Sequence, residues 1–102
     1  MSSVKSTSLL QQAVEEISAH YAAKKRDLSD EALQNLARET LAHACQMVRK
    51  SHRGFLALSS KTEQDGHNHQ KNMVLILTNR YISQETAEKI IEEETFEVDR
   101  DG

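Results

Sequence analysis

The sequence predicts an α+β domain dominated by helices: an N-terminal antiparallel helix pair, a β-hairpin about Asp65-Gly66 and a C-terminal helix. Three observations lead there. One stretch, Leu28 to His52, carries every mark of a helix; a short link precedes it; and two apolar runs flank an Asp-Gly pair. The alternative is an all-α bundle in which 59–72 forms a mobile loop.

The second helix is the firmest element. Leu33, Leu36, Ala37, Thr40, Leu41, Ala44, Met47 and Val48 recur at intervals of three and four, which lays them along one helical stripe. Ser29 stands where an N-cap belongs, with Leu28 and Leu33 at the spacing of a hydrophobic staple. Asp30 and Glu31 suit the positive end of the helix dipole; Arg49, Lys50 and Arg53 suit the negative end. Gly54 offers a left-handed residue to stop the helix.

Ahead of it, residues 1–7 read as a polar, frayed tail, and Ser8 as the cap of a first helix. Its stripe is Leu9, Leu10, Ala13, Val14, Ile17 and Tyr21, with Glu15 and Glu16 facing water. The short link Asp27 to Ser29 folds the two helices back on one another. Neither stripe is satisfied by the other helix alone.

Beyond Gly54 the pattern changes. Phe55-Leu56-Ala57-Leu58 and Met73-Val74-Leu75-Ile76-Leu77 enclose a polar stretch centred on Asp65-Gly66, a favoured type I′ turn. Folding the chain about that pair sets Leu58 opposite Met73 and Ser59 opposite Asn72, so the apolar runs come into register. Ser83 then caps a last helix with stripe Ala87, Ile90 and Ile91, ending near Glu94. Phe96 and Val98 alternate with Glu97 as an edge strand, before a polar end at 99–102.

Composition bounds the function. A chain of 102 residues makes a single domain, 1–102, because a second core would have too little to bury. No Trp and only two Phe and two Tyr are available, so the core is aliphatic and thin. Such a core gains by dimerisation. Mean hydropathy is −0.66 and no apolar run reaches membrane-spanning length. One cysteine forms no internal disulfide, and there is no signal peptide, so the expected compartment is the cytoplasm.

Candidate chemistry is sparse. His67 and His69 share a strand face and could reach one cation, but two histidines do not close a zinc site. His43 and Cys45, two apart on a helix, point about 200° apart and make no nucleophile–base pair. Glu92, Glu93 and Glu94 read as a solvated face. With no phosphate loop, dinucleotide fingerprint or nucleophile elbow, neither an enzyme nor a cofactor is expected.

Two functions remain. The preferred one is a small interaction or regulatory protein, acting as a homodimer or a partner-binding adaptor through Leu33, Leu36, Ala37, Leu41, Ala44 and Val48. The other is a nucleic-acid-binding regulator using Arg49, Lys50, His52 and Arg53, with Lys24, Lys25, Arg26, Lys61 and Lys71 as candidates to join them. The net charge of −3 weighs against the second.

Overall fold

The computed structural model describes residues 2–24, 27–58 and 61–101, with side chains from residue 9 to residue 100 within those spans. Four helices follow one another: α1 (Ser2–Ala23), α2 (Asp30–Leu56), α3 (Glu63–Thr78) and α4 (Gln84–Asp101). α1 and α2 fold back across the short link. α2 and α4 each pack on all three other helices, whereas α3 leans on α4 far more than on α2.

The second helix forms as its sequence demands. Ser29 Oγ accepts from the Ala32 amide at 3.2 Å, satisfying a donor that the first turn would otherwise leave open. Leu33, Ala37, Leu41, Ala44 and Val48 are buried, and Leu36 is half-buried. Gly54 does not end the helix, which runs on to Leu56 and caps at Ala57. α1 likewise begins at Ser2, so Ser8 lies within it and does not start it.

The hairpin is absent, and the α+β class with it: among the described residues there is no strand. The reason is local chemistry. Thr62-Glu63-Gln64-Asp65 is a capping box, in which Thr62 Oγ1 accepts from the Asp65 amide at 3.1 Å and Asp65 Oδ2 accepts from the Thr62 amide at 3.1 Å. Asp65 is therefore the third residue of a helix, and Gly66 the fourth. Once that helix starts, Gly66, His69, Gln70, Met73 and Leu77 fall on one face at spacings of three and four. Met73 and Leu77 are buried by it. The alternative reading had the right class, but most of its 59–72 loop is the first half of α3. Ser59 lies outside the described residues.

Gly66 has no left-handed φ, as no described glycine has. A Cβ built there would meet Phe55 Cζ at 3.9 Å, an ordinary contact. Gly66→Ala is therefore expected to stabilise the protein by about 0.5–1 kcal/mol, by reducing the freedom of the unfolded chain. Urea unfolding checks it; a clear loss of stability would mean that the glycine is needed.

Ser83 caps α4 as expected, its Oγ accepting from the Thr86 amide at 3.2 Å. The helix continues past Glu94 to Asp101, so Phe96 and Val98 are helical and form no edge strand. Val98 is buried on the inner face and Phe96 is exposed on the outer. Glu16, expected in water, instead reaches this helix start. Its carboxylate accepts from the Ser83 amide at 3.2 Å and from Thr86 Oγ1 at 3.3 Å. A negative charge from α1 thus sits at the positive end of α4.

The core joins all four helices, with Ile17, Leu77 and Ile90 among its most deeply buried side chains. Burying each such side chain stabilises the fold by about 1.5–3 kcal/mol. Tyr81, just after α3, holds a left-handed φ of 72° that a non-glycine residue adopts at a cost. Its ring is stacked on His20 at 3.6 Å between centroids, which ties the α3–α4 turn to the end of α1.

Candidate functional site

The polar side chains that converge are near the C-terminal end of α2, where α3 and α4 meet it. His52 points inward from α2, its side chain only 11% exposed. It does so because it lies a quarter-turn or less from the buried row that runs through Val48 and Phe55. His52 Nε2 is 2.9 Å from Asp99 Oδ1 of α4, and His52 Nδ1 is 3.4 Å from His69 Nε2 of α3. Phe55 stacks on the His69 ring at 4.5 Å and 7°. Lys61 Nζ stands 5.9 Å from the Phe55 ring centre. A carboxylate, an imidazole and a second imidazole from three helices thus form one relay.

The relay borders a cavity of about 380 Å³ whose wall includes Glu63, His67, Gln70 and Thr95. A wider groove of about 710 Å³ continues along α3 and α4, sharing His67, Gln70 and Thr95 and adding Lys71, Glu88 and Glu92. Burial, and then the neighbouring His52, hold His69 below the ordinary histidine value of 6.5.

The histidines expected to act together are separated by this geometry. His69 turns into the relay, whereas His67 is exposed on the cavity wall. Being two apart on a helix rather than a strand, they lie about 200° apart around its axis. Among the described residues, no three His, Cys, Asp or Glu side chains are grouped so as to hold a metal ion.

The basic group is divided as well. Arg49 is paired with Glu94 of α4, and His52 with Asp99; Lys50 and Arg53 are exposed. Lys25 and Arg26 lie outside the described residues, and Lys24 Nζ lies 5.2 Å from the Tyr81 ring centre. Acidic side chains from α4 therefore stand among the charges that a phosphate backbone would need.

Cys45 is half-buried beside Glu94, and burial first, then that carboxylate, push its thiol up to about 12. It is held as a thiol and is a poor nucleophile. His43 is exposed on another side of α2.

Asp99 and Phe55 were not foreseen as site residues, the first because it lay in a supposed polar end. The capping box at Thr62 was the available signal. It makes 63–78 helical and puts His69 in line with Met73, four residues on. No described helix is long and apolar enough to cross a membrane. Comparison with protein families, with curated proteins and with solved structures finds no match to this chain.

Proposed function

We propose that this is a small, non-enzymatic interaction protein that acts by pairing with a second copy of itself. The observation that carries this is area. The chain exposes 7318 Å², against about 5,800 Å² for a typical monomer of its mass. The surplus of about 1,500 Å² falls in the range that each protomer of a large, obligate homodimer interface covers. The shape agrees: the extents are 49 × 30 × 19 Å, and the radius of gyration of 14.9 Å exceeds the roughly 13 Å usual for this length.

The stripe of Leu33, Ala37, Leu41, Ala44 and Val48 is occupied inside the chain, so pairing has to use another face. Among the apolar side chains left exposed, Leu75 and Ile76 stand side by side on α3, 57% and 41% exposed. The compartment expected for such a protein is the cytoplasm.

Light scattering over a dilution series tests the reading. The wild type is expected to be dimeric at micromolar concentration, and Ile76→Glu monomeric and folded. A wild type that stays monomeric at micromolar concentration overturns it. A dimer that persists unchanged in Ile76→Glu overturns the choice of face.

A further inference from the structure

We propose that the Asp99–His52–His69 relay is an acid-released latch, holding the N-terminal half of α3 against α2 and α4. The geometry sets a limit on how many protons it accepts. With both rings neutral, His52 Nε2–H donates to Asp99 and His69 Nε2–H donates to His52 Nδ1. With one added proton, His52 donates from both nitrogens, to Asp99 and to His69. Both arrangements keep the 2.9 Å and 3.4 Å contacts. With two added protons, an N–H faces an N–H and two positive rings stand side by side. The link to α3 is then lost.

The charged groups around the pair are of both signs. From α4, Asp99 already serves His52; one turn and more earlier, Glu94 serves Arg49. From α3, Glu63 and His67 line the cavity wall, and from the α2–α3 link Lys61 adds a positive charge beside Phe55. Arg53 on α2 is exposed, and α1 does not pack on α3. α3 leans only lightly on α2, and the relay and the Phe55–His69 stack are among the contacts that join them here.

The sign follows from linkage. His69 has a lowered value in the closed form, so the released form binds a proton more readily. The latch is at full strength above about 6.5 and weakens as pH falls from there through the lowered value.

Hydrogen exchange tests it on the full chain, comparing α3 amides from Gly66 to Met73 with those of α1 and α2. Rates are measured at pH 7.5 and pH 5 and normalised for intrinsic exchange. The α3 amides are expected to open preferentially at pH 5, by about tenfold for each unit separating the released and closed values of His69. His69→Gln keeps an N–H for His52 and cannot titrate, so its α3 protection is expected to be independent of pH. If α3 tracks α1 and α2 in the wild type, or if the acid response survives in His69→Gln, the latch is refuted. Should His69→Gln fail to fold, imidazole NMR of the wild type decides. A His69 that titrates below 6.5 supports the latch; one that titrates at or above 6.5 refutes it.

Discussion

Leu77→Ala should lower the free energy of unfolding by about 3–5 kcal/mol, the upper part of the range for buried leucines. Leu77 is fully buried in α3 and belongs to the core shared by all four helices. Removing its branch costs transfer energy and leaves a cavity that four packed helices cannot easily close. A domain of this size has only about 5–15 kcal/mol to lose. Leu75, two residues earlier, is 57% exposed on the opposite side of the same helix. Leu75→Ala should change stability by about 0.5 kcal/mol or less. Urea unfolding of the pair measures the contrast, and equal losses would contradict the orientation of α3.

Ala37→Leu should be nearly as damaging, by about 2–3 kcal/mol, for the opposite reason. Ala37 is fully buried in α2, and Ala13, Ala44 and Ala87 are equally enclosed on α1, α2 and α4. These small side chains leave no room for a branched one, so the larger residue strains the packing around it. Thermal unfolding should show a fall of about 10 °C or more. A neutral or stabilising Ala37→Leu would instead place this stripe at an open surface, where a second copy could cover it.

That contrast shows what was legible. The cap at Ser29, the stripe from Leu33 to Val48 and the cap at Ser83 are local, and local chemistry decided them. The stretch from Phe55 to Thr78 was misread because two local signals compete there. Asp65-Gly66 suits a tight turn, but Thr62 and Asp65 satisfy each other's amides as a helix start, and Met73 and Leu77 then gain burial. The helix wins on both counts. Gly54 shows the same lesson on a smaller scale, since a glycine permits a stop without requiring one. The site was illegible for a different reason. His52 and Asp99 are 47 residues apart, and Ser83 and Glu16 are 67 apart. No spacing rule links residues across three helices until their packing is known.

The place of α4 at the end of the element order also governs how the chain acquires its fold in time. Of the four helices it emerges last from a ribosome, yet it packs on every one of the others. The α1–α2 pair forms from near neighbours, but its stripe is completed only by a helix that begins 28 residues after α2 ends. Closing such long loops earns its stabilisation only at the end, so the core should set in one late, cooperative step. Until that step, apolar surface that the folded chain buries stays open to water.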